Sequence, residues 1–279
     1  MLSSAFAGVD KDATAVVGRI EENRFVRERG DFYAFLHDRS RGHRSGGTST
    51  WGQAITAPDG RVLRLHTIAE NPGSCDMFTA NDIVRMGWRN VHSMPHEVCL
   101  ENNELAFRPA VEFEGLRRES LYSSKAQEIG KDEEWFANPG GNRAHIEVRC
   151  SFLPSPGSIS GIVLEAGEKN RLRFYYDRDQ SLLVLDYSQS NALVKSQMKT
   201  ELKLAPGEEA DLRLFFDASV IEVFANGERS FGRWYTGSPD EINVGLFSED
   251  APACFSRVDV WEMGTIWKAY QGPGNQEYE

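Results

Sequence analysis

The sequence predicts an all-β protein whose C-terminal half is a β-sandwich. Three observations carry this reading. Short strand-like runs separated by turn residues crowd the stretch from Arg143 to Met263. Apolar and polar residues alternate within them, as in Arg171-Leu172-Arg173-Phe174-Tyr175-Tyr176 and Ile221-Glu222-Val223-Phe224, so one strand face is suited to a core and the other to water. Asn226-Gly227 stands where a type I′ hairpin turn needs two positive φ angles.

From the N-terminus, strand-like runs occur at Ala15 to Val17, Phe32 to Leu36, Val62 to Ile68 and Glu104 to Phe107, divided by turn clusters such as Pro58-Asp59-Gly60. Asp38 to Thr50 is a basic, Gly/Ser-rich loop, read either as a flap on the substrate side or as an exposed insertion. These few strands need further partners to complete a sheet system. Arg108 to Arg117 reads as a short connecting helix, with Pro109 near its first turn and the apolar Phe113 and Leu116 three apart. Sandwich strands are expected at Ala144 to Cys150, Ile159 to Glu165, Arg171 to Tyr176, Leu182 to Tyr187, Asp211 to Phe216, Val220 to Ala225, Ile242 to Phe247 and Phe255 to Trp261. Gln271 to Glu279, with Gly272-Pro273-Gly274, reads as a loose tail.

Six Trp and sixteen Phe within 279 residues can fill real cores. The formal charge is −11 and the basic residues are scattered, which disfavours nucleic acid and anionic membranes as partners. No apolar run approaches the roughly 20 residues of a membrane span, and the first residues lack the pattern of a signal peptide. The expectation is therefore a cytoplasmic location, or secretion if the true start lies upstream of Met1. Cys75, Cys99, Cys150 and Cys254 are far apart without metal-ligand spacing; buried or free thiols are expected, with one or two long-range disulfides as the alternative. The six His residues show no triad or metal spacing, so neither a metal nor a cofactor is expected. Glu222, between Ile221 and Val223 on an alternating strand, is expected on a solvated face. Trp261 and Trp267 are expected to pack in the sandwich or at a domain interface.

Leu212 to Gly227 resembles the characteristic hairpin of the C-terminal sandwich of glycoside hydrolase family 32. Val258-Asp259-Val260-Trp261-Glu262-Met263 is similar to that family's closing strand. Gly87-Trp88 through Ser93-Met94-Pro95-His96, followed by Leu105 to Arg117, resembles the end of the family's five-bladed propeller, with a Leu-Pro-Arg-like turn, and the entry to its linker helix. Asp31-Phe32-Tyr33-Ala34 and Asp59-Gly60-Arg61 resemble late-blade segments, so the likeness runs from about Val16 to Trp267. It implies a partial, incomplete β-propeller followed by a C-terminal β-sandwich: a propeller remnant over 1–108, a linker helix over 109–118, the sandwich over 119–268 and a tail over 269–279. Two departures stand out. Leu65-His66-Thr67 takes the place of a Trp-Gly-Trp pocket wall, and the Arg39 to Thr50 loop looks inserted.

The family's chemistry is a retaining attack on a fructosyl unit by one carboxylate while a second carboxylic acid protonates the leaving oxygen, the pair roughly 5–5.5 Å apart. The strings that carry these groups in the family, Asn-Asp-Pro-Asn-Gly, Arg-Asp-Pro and Glu-Cys-Pro, do not occur in this chain. The resemblance places them in earlier blades, so no catalytic residue is assigned here. Asp31 and Tyr33 are the local candidates for touching sugar, by hydroxyl hydrogen bonding and ring stacking, against the plainer role of a turn Asp and a core aromatic. Trp51 is a candidate stacking platform or a partly buried anchor. The implied partner is a carbohydrate, namely sucrose, a fructan or a fructo-oligosaccharide, with a homo-oligomer or a propeller-bearing chain as protein partner. The competing readings are a non-catalytic carbohydrate-binding or structural module, and an enzyme with relocated carboxylates.

Overall fold

The computed structural model describes residues 2–5, 14–33, 49–68, 81, 84–85, 91–101, 104–137, 144–167, 170–190, 197–227, 229–234 and 242–265. Within them the architecture is β throughout, apart from isolated helical residues and one 3-10 helix. No helix is long and apolar enough to cross a membrane among the described residues.

Two antiparallel sheets come first. Strands β1 (Leu2–Ala5), β2 (Thr14–Glu21) and β3 (Arg24–Tyr33) form one. Strands β4 (Ser49–Thr56), β5 (Val62–Ile68), β6 (Val91–His92), β7 (His96–Glu101) and β8 (Glu104–Pro109) form the other, in the order β4-β5-β7-β8 with β6 also on β5. The strand expected over Phe32 to Leu36 begins earlier, at Arg24. Glu21 pairs with Arg24 across a two-residue turn in which Glu22 and Asn23 have φ of 48° and 63°, and the charged residues of β3 hide the strand from a pattern based on apolar alternation. Residues 34–48, which hold most of the basic loop, lie outside the described residues, as does the tail.

The connector is a 3-10 helix, Val111–Leu116. With three residues per turn, Phe113 and Leu116 fall on one face. Both pack against a cluster containing Phe215 and Phe224.

The sandwich follows. Its first sheet runs β10 (Gln127–Ile129), β21 (Ala253–Met263), β12 (His145–Phe152), β17 (Ala210–Asp217), β18 (Val220–Ala225) and β19 (Arg229–Trp234), with β9 (Arg117–Ser124) also on β21. The second runs β11 (Glu133–Phe136), β20 (Ile242–Glu249), β13 (Ile159–Ala166), β14 (Arg171–Asp177), β15 (Leu182–Asp186) and β16 (Gln197–Glu201). All eight expected sandwich strands are present, each within about two residues of its expected ends. Strands β9, β10, β11, β16 and β19 were not legible, because they are short or carry few apolar residues.

Period-two alternation decides what enters the core. Ile146, Val148, Cys150 and Phe152 from β12 and Leu212, Leu214 and Phe216 from β17 face Ile162, Leu164, Phe174, Tyr176, Leu183 and Leu185 from the second sheet. Asn226 and Gly227 have φ of 50° and 66°, as the hairpin requires. Ala225 pairs with Arg229 on the far side of this turn. Asn226 also accepts the Asp211 N–H through Oδ1 at 3.0 Å and donates through Nδ2 to the Glu209 carbonyl at 2.9 Å, which pins the turn to the start of β17.

On the far face of the second sheet, Tyr175 packs with Val163, Val184 and Phe247, and the Arg173 guanidinium lies 3.7 Å from the Phe247 ring centroid. Burial, with Asp186 nearby, pushes the Tyr175 phenol up to about 12. Between pH 10 and 12 the unfolded chain has lost this proton while the folded chain keeps it, so stability falls as pH rises through that window, by up to roughly 1.4 kcal/mol per unit. Ultraviolet titration of wild type against Tyr175→Phe checks this. The difference spectrum should show a phenol ionising near pH 12 rather than near 10.

Candidate functional site at the junction of the two modules

The outer face of the first sandwich sheet does not meet water where the 3-10 helix and the β6 to β7 turn cover it. Phe215, Phe224 and Met263 are buried there, with Met94, Phe113, Leu116 and Trp261 against them. The same alternation that sends Ile221 and Val223 inward sends Glu222 outward, into this covered layer. Glu222 is 6 % exposed, which corrects the expectation of a solvated face. The sequence pattern states which face a side chain takes; it does not state what lies on that face.

Three side chains meet in this layer. His66 of β5, His96 at the start of β7 and Glu222 of β18 are all buried, and their donor atoms lie within 4.8 Å of one another. His96 Nε2 is 2.9 Å from Glu222 Oε2, and Glu222 Oε1 accepts the Met94 N–H at 2.6 Å. The two imidazoles stand edge to face at 4.8 Å between centroids, and His96 leans on Phe224 at 4.9 Å. Ser93 holds the backbone of His66 from both sides: its Oγ accepts the His66 N–H at 3.0 Å and its own N–H donates to the His66 carbonyl at 2.8 Å. Burial, with His96, Arg64 and His92 nearby, pushes the His66 imidazole well below its usual range and so disfavours its charged form. The run Ser93-Met94-Pro95-His96 therefore places one His, fixes another and binds the Glu. Sequence spacing could not reveal this, since 126 positions separate His96 from Glu222.

A second polar system lies beside it. Glu147 of β12, 0 % exposed, accepts from Arg117 Nε and Nη2, both at 2.8 Å, and from Arg213 Nε at 2.9 Å. Arg149 and Asp211 pair in bidentate fashion at 2.9 and 2.7 Å. Arg117 also stacks on Trp261, its guanidinium carbon 4.0 Å from the ring. A cleft of about 320 Å³ opens along this layer, lined among others by Arg108, Glu114, Arg149, Asp211 and Asn226.

Asp31 and Tyr33 fall at the end of β3 and Trp51 falls in β4, but their side chains lie outside the described residues, as do Thr67 of the altered Leu65-His66-Thr67 wall and the whole of Trp267. Trp261 is at the junction, half-buried against Phe215, Phe224 and Met263. Cys99, Cys150 and Cys254 are free thiols. Cys150 is fully buried, and burial pushes its thiol well above the usual range, whereas Cys254 is exposed. A thiol reagent at neutral pH should modify Cys254 and leave Cys150 untouched until denaturant is added, a difference that peptide mass mapping reads directly.

Two packed β-layers clamped through buried polar groups to blade-like antiparallel sheets define a two-module all-β protein. The chain belongs to glycosyl hydrolase family 32: the description "Glycosyl hydrolases family 32 C terminal" matches residues 112–262, more than half of it. It is 26% identical over 216 residues to the sucrose-6-phosphate hydrolase of Escherichia coli, covering 76% of this chain and 42% of that protein. It is 29% identical over 158 residues to the levanase of Bacillus subtilis (strain 168), covering 53% of this chain and 23% of that protein. The fold matches the crystal structure of fructan 1-exohydrolase IIa from Cichorium intybus with a TM-score of 0.77 at 16% identity, over 95% of this chain and 56% of that one. The chain thus spans less than half the length of these two curated relatives.

Proposed function

We propose that this chain is the C-terminal part of a family 32 glycoside hydrolase that cleaves fructosyl linkages in sucrose or fructans, with the catalytic carboxylates supplied from outside these 279 residues. One observation carries the reading: the family match covers the sandwich and its linker, while none of the three strings that bear the family's carboxylates occurs in the sequence. The names of the relatives, a sucrose-6-phosphate hydrolase and a levanase, support sucrose and fructans as the substrate class. On this reading the division is a propeller remnant over 1–108, the linker over 109–118 and the sandwich over 119–268. The buried contacts of Glu222 with Met94 and His96 serve to hold the sandwich against the blades, while Glu147 ties Arg117 and Arg213 together within the sandwich sheet.

The test is release of fructose from sucrose, levan and inulin, by the purified chain alone and by the chain fused behind the early blades of the E. coli relative. The expected result is no turnover alone and turnover in a folded fusion. Turnover by the chain alone would overturn the assignment of the carboxylates elsewhere, and an inactive but folded fusion would count against the activity. The polar cleft beside Phe224 favours a second reading, a non-catalytic module that binds fructan chains. Calorimetric titration with fructo-oligosaccharides decides it, since the absence of both heat and thermal stabilisation would exclude binding.

A further inference from the structure

We propose that His66, His96 and Glu222 form a site for a divalent transition-metal ion of the zinc type, placed to staple the blade-like sheet to the sandwich. Two imidazoles and one carboxylate are a donor set that such ions bind, leaving a fourth position for water. The three donors converge from three strands of two sheet systems within 4.8 Å, and all three side chains are buried. Metal–ligand distances of about 2.0–2.2 Å need these atoms to draw closer, which ring and carboxylate rotation supplies.

Charge makes the same case. A buried carboxylate is costly unless a cation faces it. No Lys or Arg forms an ion pair with Glu222 among the described residues; its ionisable partner is the imidazole of His96. A divalent ion coordinated at this point faces the Glu222 carboxylate with positive charge and takes the place of the hydrogen bond between His96 Nε2 and Glu222 Oε2. The supports are in place, since Ser93 fixes the backbone of His66 and the Met94 N–H holds Oε1 of Glu222, leaving Oε2 to turn towards the rings. The site closes a long loop, 126 positions from His96 to Glu222, so binding there would add directly to the stability of the junction. The alternative is a metal-free hydrogen-bonded pair of His96 and Glu222.

The test uses the full purified chain, stripped with chelator and then equilibrated with zinc or cobalt. The proposal expects about one zinc ion per chain, a higher melting temperature with zinc, and the visible bands of four- or five-coordinate Co(II). Two variants separate this from surface binding. His66→Gln removes one donor, and His96→Arg gives Glu222 a permanent cation in place of a ligand. Each should weaken zinc binding by more than about tenfold while circular dichroism still reports the β fold. In His96→Arg the melting temperature should no longer respond to chelator. Sub-stoichiometric zinc in the wild type, or equal uptake by wild type and both folded variants, would overturn the proposal and leave the metal-free His96–Glu222 pair.

Discussion

Replacing Glu147 by Ala should destabilise the protein by about 3–5 kcal/mol in denaturant unfolding. The carboxylate is fully buried and takes three hydrogen bonds from Arg117 and Arg213. Removing it leaves the two guanidinium groups with only the half-exposed Glu114 as a counter-anion, at 3.7 Å from Arg117 and 3.9 Å from Arg213. Both stay charged, because guanidinium deprotonates only far above neutral pH, even though burial pulls Arg213 down. The cost comes from stranding the cations rather than from losing a net attraction, and this can be separated. Changing Arg117, Glu147 and Arg213 together to apolar residues of similar size should recover most of the loss, since replacing a whole buried ion cluster is often neutral. A triple variant as unstable as Glu147→Ala would show that the network itself, and not the stranded charge, holds the junction.

Phe174→Ala should cost a similar amount, about 3–5 kcal/mol, through a different mechanism. Phe174 is wholly buried between the two sandwich sheets, and truncating it leaves a cavity that flanking strands, held by hydrogen-bonded neighbours on both sides, cannot close. Leu153→Ala is the control. That side chain is about half exposed, so its loss should stay within roughly 0.5 kcal/mol. The two large effects should also differ in breadth. Hydrogen exchange should show the sandwich core loosening in Phe174→Ala and the outer layer around β9, β12 and β17 loosening in Glu147→Ala.

The sandwich was legible because its strands are amphipathic. A side chain's face follows from its parity in the strand, and Ile221, Val223, Leu212 and Leu214 all go where alternation sends them. The turn at Asn226-Gly227 was legible for an equally local reason, as few residues accept two successive positive φ angles. The blade-like sheets were less so. In β3 the charged residues Arg24, Arg27, Glu28 and Arg29 mask the strand, and in β7 the decisive residue, His96, is a polar group at the first position of a short strand whose apolar face is only Val98 and Leu100.

Glu222 marks where local reasoning stops. Its parity was read correctly as outward, yet outward from this sheet leads into the packed layer of Phe224, Met94 and His96 rather than into solvent. The six histidines show no metal spacing along the chain, and spacing is informative only when ligands share a strand, helix or loop. The resemblance set Met94-Pro95-His96 against a Leu-Pro-Arg-like turn, a comparison that gained physical meaning once the turn was seen to sit on Glu222.

The sequence by itself determined the strand faces, the hairpin turn, the connector and the family, because each depends on residues close together in the chain or on motifs read in order. Only the tertiary structure decided which outward faces are covered, and with them the meeting of His66, His96 and Glu222 and the burial of Glu147 between two arginines. The first depends on how one sheet docks on another across more than a hundred residues and the second on which strands become neighbours within one sheet, and no periodicity records either.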